Sequence, residues 1–203
     1  MKQIVLTNFK GYTVPTAIAF SDITINVGMN SVGKSTAVQS LLIVRQTFDD
    51  LNSGTQKTDF RILLNGPYDL QLGDYNQLTS TGTGEISIIV DDTSLIYRKS
   101  EDEFSLSFLW ENGTAALPDI LLFSPTFYYI NAERIGPRNY QDIGNDKDKL
   151  CGYHGEYTFE VINQFRDQAI PKERRYNDNK LGVAITFLKQ LEYWMDYIVL
   201  LPN

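Results

Sequence analysis

Cysteine and histidine are almost missing from this sequence, which contains one of each, Cys151 and His154. A single cysteine excludes a framework of internal disulfides and zinc sites built from several cysteines. Long hydrophobic runs are missing as well, because charged residues interrupt the most apolar late stretch, 183–201, which argues against a membrane span. The first residues have neither the basic region nor the apolar stretch of a secretion signal, so we expect a cytoplasmic protein.

Basic residues are also in the minority, since 18 Lys and Arg stand against 25 Asp and Glu for a net charge of −7. This charge argues against nonspecific nucleic-acid binding by the bulk surface, although it leaves room for a local basic groove. The basic cluster Lys172-Glu173-Arg174-Arg175 has two interpretations, a solvated loop before a helix or a patch that contacts phosphates. The first is favoured because acidic residues dilute the cluster.

The most informative feature is the run 28–36, which reads Gly-Met-Asn-Ser-Val-Gly-Lys-Ser-Thr. It fits the pattern G-x-x-x-x-G-K-[ST] of a phosphate-binding loop. Before it, residues 22–27 alternate polar and apolar side chains, which predicts a strand. After it, residues 34–48 contain no Gly or Pro and repeat apolar residues at helical spacing, which predicts a helix. Strand, glycine loop and helix aim backbone N–H groups at a polyphosphate, so the sequence predicts nucleotide binding.

Each residue type in this loop has a chemical reason to be there. Glycines let the backbone approach the phosphates, Lys34 supplies a point charge at the β- and γ-phosphates, and the Ser35 hydroxyl can ligate Mg²⁺. The predicted binding residues of the loop are Asn30, Ser31, Val32, Gly33, Lys34, Ser35 and Thr36. Hydrolysis would further need an acidic metal partner and a residue that orients the attacking water.

An acidic partner of that kind is not obvious in the sequence. The nearest candidate for an apolar strand that ends in acids is the run 88–92, Ile-Ile-Val-Asp-Asp. Another strand-like run follows it at once, so a hairpin turn is the better interpretation. We therefore expect nucleotide binding without an obvious hydrolytic partner, and the catalytic residues stay unknown.

Between 58 and 112 the sequence consists of short β-rich runs separated by turn signals, which predicts an antiparallel meander. The predicted strands of the whole chain are 2–6, 16–20, 22–27, 61–64, 85–90, 94–98, 104–110 and 127–130, the last of them buried. Two further helices are predicted at 156–165 and 181–200. The fold class is thus mixed α/β (α+β). We expect a single unit over 1–203: strands, loop and first helix in 1–50, a β-subdomain in 58–112, and a core strand plus helices in 119–203.

Several motifs together resemble a known family. Residues 8–12, Asn-Phe-Lys-Gly-Tyr, follow the first strand, and the phosphate loop carries Asn30. With these features the first fifty residues resemble SMC/RecF-like members of the ABC-type ATPase superfamily. Later motifs resemble a bacterial branch of AAA-annotated, OLD-like ATPases, several of which belong to anti-phage defence systems. These later motifs are Leu64-Asn65-Gly66 with Leu72-Gly73-Asp74-Tyr75, the run 130–138, and the run 152–157.

The resemblance implies the N-terminal part of an ATPase head with a P-loop, a sheet core and an antiparallel β-subdomain. Heads of this family dimerise around ATP and Mg²⁺, with the phosphate loop of one head facing the signature motif of the other. That motif, the Walker B acids and the switch histidine are expected beyond Asn203, so we expect a half-head that needs a second head, a missing half or a partner chain. The other interpretation is a non-catalytic nucleotide-binding scaffold for a partner protein. A compact kinase or GTPase is disfavoured by the long β-rich insertion.

The resemblance also suggests further site residues, each with a structural alternative. Lys10 and Tyr12 lie where related heads contact the nucleotide, or they are a turn lysine and a packing tyrosine. Gln71 and Gln77 are candidates for the Q-loop glutamine that ligates Mg²⁺. Among the later residues, Arg134 and Arg138 could approach phosphate or a head interface, or pair with Glu133, and His154 could reach a partner or an anion.

Overall fold

The computed structural model describes residues 1–29, 33–52, 61–80, 84–109, 121–124, 127–133, 151–175 and 186–199. The chain divides into two compact units, Met1–Tyr128 and Tyr129–Asn203. The fold class is mixed, with helices and one antiparallel sheet among the described residues. The assignment of 1–203 to a single P-loop head fragment, with its subdivision, stays a prediction.

Six strands of the first unit form one sheet in the order β2-β1-β4-β5-β6-β3, and every neighbouring pair is antiparallel. The strands are β1 (Gln3–Thr7), β2 (Thr16–Ala19), β3 (Arg61–Leu63), β4 (Ile86–Val90), β5 (Thr93–Lys99) and β6 (Ser105–Leu109). The predicted antiparallel meander is confirmed by β4, β5 and β6, whereas β3 lies at the edge of the sheet and pairs with β6. The strands of the meander continue the N-terminal ones in the same sheet, because β1 pairs with β4.

One face of this sheet is the core of the first unit. On β4, Ile86, Ile88 and Val90 are fully buried, while the residues between them are half-buried. On β1, Ile4 lies opposite Val90 and Leu6 lies opposite Ile88, and both β1 side chains are fully buried. Burial of each such aliphatic side chain is worth about 1.5–3 kcal/mol relative to leaving it exposed, so this alternation holds the sheet together.

The run 88–92 forms the end of β4 and a hairpin, as the sequence predicts. Val90 pairs with Thr93, and Asp91 takes a left-handed backbone conformation with φ 51°. The Asp91 carboxylate accepts hydrogen bonds from the backbone N–H groups of Gln3, at 3.0 Å, and Lys2, at 2.7 Å. These bonds, that from Gln3 first, hold the pKa of Asp91 below its usual value. Asp91 therefore ties the hairpin to the start of β1.

The predicted first helix is confirmed as α1 (Lys34–Asn52), and its second half is bonded to the sheet. The Gln46 side-chain amide donates to the carbonyl of Leu63 at 3.0 Å, and its oxygen accepts the Leu63 N–H at 2.5 Å. The hydroxyls of Thr47 and Tyr97 share a hydrogen bond of 2.9 Å in the core. Burial raises the pKa of the Tyr97 hydroxyl, which stays neutral. The helix is thereby joined to β3 and β5.

Arg45 joins the same helix to Leu122, Ser124 and Phe127. Its Nη1 donates to the carbonyls of Leu122, at 2.9 Å, and Ser124, at 2.6 Å. Its guanidinium carbon lies 5.1 Å from the ring centre of Phe48 and 5.0 Å from that of Phe127. The planar guanidinium can bond in its plane and stack on its faces at once, which suits this arrangement.

The strand predicted over 22–27 is wrong, because these residues are in no strand of the sheet. Ile23, Ile25 and Val27 are 81%, 77% and 84% exposed. Alternation shows that a segment suits a sheet face, but a strand forms only where a neighbouring backbone offers hydrogen bonds. No described strand pairs with this segment.

The buried strand predicted over 127–130 is wrong for the same reason. These residues are described and belong to no strand, and Tyr128 and Ile130 are 38% and 51% exposed. Phe127 instead packs its ring edge-on against Tyr68, with 6.0 Å between ring centres. Aromatic and β-branched content alone therefore gave the wrong element here.

Three further α-helices are described. They are α2 (Tyr75–Leu78) in the first unit, and α3 (Thr158–Phe165) and α4 (Phe187–Val199) in the second. The Asp74 carboxylate caps α2 by accepting the N–H groups of Asn76 and Gln77. The helices predicted at 156–165 and 181–200 are confirmed by α3 and α4, although α3 begins two residues later and Thr186 forms an isolated bridge with Ala169 instead of a helical turn. Residues 181–185 and 200 lie outside the described residues. Within the described ranges, no helix has the length and apolar character to span a membrane.

Candidate phosphate-binding site

The long helix α1 begins at Lys34, the lysine of the phosphate-loop pattern. Its first intrahelical bond runs from the Ala37 N–H to the Gly33 carbonyl, at 3.0 Å. The first turn contains no acidic side chain, and none occurs from Ile23 to Phe48 in a chain of net charge −7. Free N–H groups and the helix dipole make such a start electropositive, and no acidic residue close to it in the sequence opposes this.

Gly33 closes the loop in a conformation that only glycine adopts readily. Its φ is +91°, and a Cβ atom at this position would lie 3.1 Å from the hydroxyl oxygen of Tyr12. That hydroxyl donates a hydrogen bond of 3.2 Å to the Gly33 carbonyl. Glycine is thus required here both by the backbone and by the close approach of Tyr12.

The Lys34 side chain folds back over the loop. Its ammonium donates to the carbonyl of Gly28 at 2.7 Å and to that of Met29. The positive charge therefore lies beside the loop backbone, close to the start of α1. A phosphate oxygen is a stronger acceptor for an ammonium than a peptide carbonyl, so an anion in the loop would compete for this group.

Lys10 lies in the turn 8–12 that follows β1 and reaches α1 from the side. Its ammonium donates to the side-chain oxygen of Gln39 at 2.9 Å. Burial lowers the pKa of Lys10. The structure thus brings Lys10 onto the helix that starts at the loop, and a contact from Lys10 to a nucleotide stays a prediction.

The turn 8–12 is itself held firmly. Phe9 is fully buried, and it exchanges backbone hydrogen bonds of 3.2 and 2.9 Å with Tyr12. The Lys10 N–H donates to the carbonyl of Leu78 at 2.5 Å, and the Ser80 hydroxyl donates to the carbonyl of Lys10 at 2.7 Å. The turn therefore connects the core and the end of α2 to the start of α1.

Ser35 and Gln71, the two predicted Mg²⁺ ligands, are both exposed. The Ser35 hydroxyl makes no hydrogen bond within the described ranges, so it is available to a metal ion. Gln71 forms an isolated bridge with Asn65, and Gln77 lies over Gly73. Among described residues, no hydrogen bond joins either glutamine to the loop. Among the described residues there is also no cluster of three His, Cys, Asp or Glu side chains that could hold a metal ion.

The remaining candidates fall into three groups. Thr36 is half-buried in the first turn of α1. Asn30, Ser31, Val32, Arg134 and Arg138 lie outside the described residues. In the second unit, the ring atom Nδ1 of His154 donates to the carbonyl of Glu133 at 2.5 Å. The backbone N–H of His154 donates to the Glu156 carboxylate at 2.7 Å. A role for His154 toward a partner or an anion stays a prediction.

The basic cluster at 172–175 forms a short 3₁₀ turn, Lys172–Arg174. Lys172 and Arg174 are exposed, while the Arg175 Nε donates to the carbonyl of Ile170 at 2.9 Å. This arrangement agrees with the interpretation as a solvated loop.

Two contacts at the loop are not visible in the sequence pattern, those of Gln39 with Lys10 and of Tyr12 with Gly33. No family model matches the sequence, and the searches of curated proteins and of solved structures found no match either. The family resemblance therefore depends on the motifs of this chain alone.

Proposed function

We propose that this chain binds the triphosphate of ATP, together with Mg²⁺, through residues 28–36. The observation that carries the proposal is the coincidence of pattern and geometry at Lys34. A long helix starts at this lysine, the glycine before it is left-handed, and the ammonium lies on the loop backbone. Helix starts preceded by glycine loops bind phosphates because unpaired N–H groups and the dipole favour anions.

Each group has a defined task under this proposal. The backbone N–H groups at the start of α1 and the Lys34 ammonium bind phosphate oxygens. The Ser35 hydroxyl, which is exposed, would hold Mg²⁺. The metal would neutralise phosphate charge. A charge at a helix terminus contributes about 0.3–2 kcal/mol, so the ammonium and the metal must supply much of the affinity.

We further propose that the chain is the N-terminal part of an SMC/RecF/OLD-like ATPase. In that case bound Mg-ATP promotes engagement with a second head or a partner chain, which supplies the hydrolytic acids. DNA maintenance and anti-phage defence are the processes that the resemblance suggests.

The test compares Mg-ATP affinity in wild type, Lys34→Ala and Lys99→Ala by calorimetry. Lys99 is exposed at the end of β5 and gives a control with the same change of charge. Since a charged hydrogen bond is worth about 1.5–3 kcal/mol, we expect Lys34→Ala to bind about 10- to 100-fold more weakly. Lys99→Ala should match wild type. Equal affinity in wild type and Lys34→Ala would contradict the site.

A non-catalytic nucleotide-binding scaffold is the second candidate. It is favoured by the hairpin at 88–92, where the Asp91 carboxylate accepts the backbone N–H groups of Lys2 and Gln3 and therefore has a structural role. ATP turnover by the chain, measured over a wide range of protein concentration, separates the candidates. Robust turnover that is independent of protein concentration would contradict both the scaffold and the need for a second head.

A further inference from the structure

We propose that Tyr12 is a positioning residue whose hydroxyl sets the direction of the Lys34 backbone N–H toward a bound phosphate. The inference rests on the proposed function of the loop and goes beyond it. It assigns the Tyr12 hydroxyl to the loop backbone instead of to the nucleotide.

The Gly33 carbonyl oxygen is the first element of the argument. It accepts the Tyr12 hydroxyl at 3.2 Å and the Ala37 N–H at 3.0 Å. A carbonyl oxygen has two lone pairs, so these two donors satisfy it fully. One donor comes from α1 itself and the other from the turn after β1, and together they fix the carbonyl from two elements.

The planar peptide carries this constraint to Lys34. The Gly33 carbonyl and the Lys34 N–H belong to one peptide unit, and the described chain has no cis peptide. In a trans peptide the C=O and N–H bonds point in opposite directions. A carbonyl held toward Tyr12 and Ala37 therefore holds the Lys34 N–H in the opposite direction, out of the helix start, where anions bind.

Gly33 makes such a constraint necessary. Glycine samples positive and negative φ with similar ease, so the peptide after it has little intrinsic preference. The Tyr12 ring also packs on Gly33, since a Cβ there would meet the ring carbon Cζ at 3.3 Å. Tyr12 in turn is held by its backbone bonds to Phe9, which is fully buried. The hydrophobic core thereby fixes the orientation of a donor in the loop.

The experiment uses Tyr12→Phe, which removes the hydroxyl and keeps the ring. Tyr75→Phe is the matched control, because the Tyr75 hydroxyl also donates to a glycine carbonyl, that of Gly84. Two ligands are titrated in the presence of Mg²⁺, ATP and inorganic tripolyphosphate, and the thermal midpoint of each variant is recorded without ligand. Tripolyphosphate has the phosphates of ATP and lacks its base and ribose.

We expect Tyr12→Phe to lower the affinity for both ligands by the same factor, about 2- to 10-fold, which is the effect of losing one hydrogen bond. Tyr75→Phe should leave both affinities unchanged while losing at least as much thermal stability. An unchanged affinity in Tyr12→Phe would overturn the inference alone. A loss for ATP without a loss for tripolyphosphate would also overturn it, because Tyr12 would then contact the base or ribose. Failure of the wild type to bind either ligand would overturn the proposed function as well.

Discussion

The strand β4 and the segment 22–29 have similar sequences and opposite environments. Both carry branched apolar residues at alternate positions, which are Ile86, Ile88 and Val90 in β4 and Ile23, Ile25 and Val27 in the segment, although β4 has Ile89 where the segment has a polar residue. β4 lies between β1 and β5, and its apolar side chains are fully buried. In 22–29 the apolar side chains of alternate residues are 77–84% exposed.

The difference between them lies in the backbone partners. β4 bonds to a strand on each side, which places its alternate residues on one buried face. In the described structure no strand pairs with 22–29. Its ends are fixed instead: the Ser21 hydroxyl donates to the carbonyl of Ile23, and the Lys34 ammonium binds the carbonyls of Gly28 and Met29. An alternating pattern is therefore not sufficient for a strand, which forms only where a neighbouring strand pairs with the segment.

The largest effect is expected from truncation of matched isoleucines in the two regions. Ile88→Ala leaves a cavity in the core and should lower the free energy of unfolding by about 2–5 kcal/mol. Ile25→Ala removes an exposed side chain and should change it by no more than about 0.5 kcal/mol. Urea denaturation measures both. Equal losses would mean that 22–29 is buried in solution and would remove the contrast.

A smaller effect is expected where α1 meets the paired sheet. Gln46→Ala leaves the Leu63 N–H and carbonyl without their side-chain partner and should cost about 1–3 kcal/mol of unfolding free energy. The control Gln71→Ala alters an exposed glutamine and should stay within about 0.5 kcal/mol. A Gln46 variant as stable as its control would show that α1 is held by its apolar face alone.

Substitutions that reduce self-association should act in the segment 22–29 and should leave the stability of the protein unchanged. A segment that pairs with no described strand and exposes apolar side chains can pair with other chains, and lysines on it oppose that. We expect the double variant Ile25→Lys, Val27→Lys to sediment with less high-mass material than wild type, at the same urea midpoint. The variant Leu63→Lys, which places one lysine on the exposed edge strand β3, serves as the comparison. Unchanged association in the double variant would contradict the expectation that 22–29 mediates self-association.

The smallest effect concerns acid stability of the hairpin. Because the pKa of Asp91 is lowered on folding, its contribution is present above the unfolded value of about 3.9 and is lost as pH falls through the folded value. Asp91→Asn should therefore lower stability slightly at pH 7 and by less near pH 2, where the carboxylate is increasingly protonated. Denaturation at both values checks this sign. A larger loss at pH 2 than at pH 7 would contradict it.

Periodicity was sufficient for the elements whose partners lie nearby in sequence, such as α1 and the β4–β5 hairpin. It failed for 22–27 and 127–130, because local pattern carries no information about whether a neighbouring strand exists. At the candidate site, the pattern identified Gly33 and Lys34. The contacts from Tyr12 and Lys10 join distant parts of the chain, so their geometry became visible only in the folded structure.

The exposure of 22–29 also has a consequence for cleavage. Exposed segments outside helices and strands are the preferred sites of proteolytic cleavage, and 22–29 is such a segment. We expect limited proteolysis to cut first within 22–29. The N-terminal fragment would then remain attached, because β1 is bonded to β4 and β2 to β1. The nicked protein should keep its native mass while its phosphate loop has lost the covalent connection on one side.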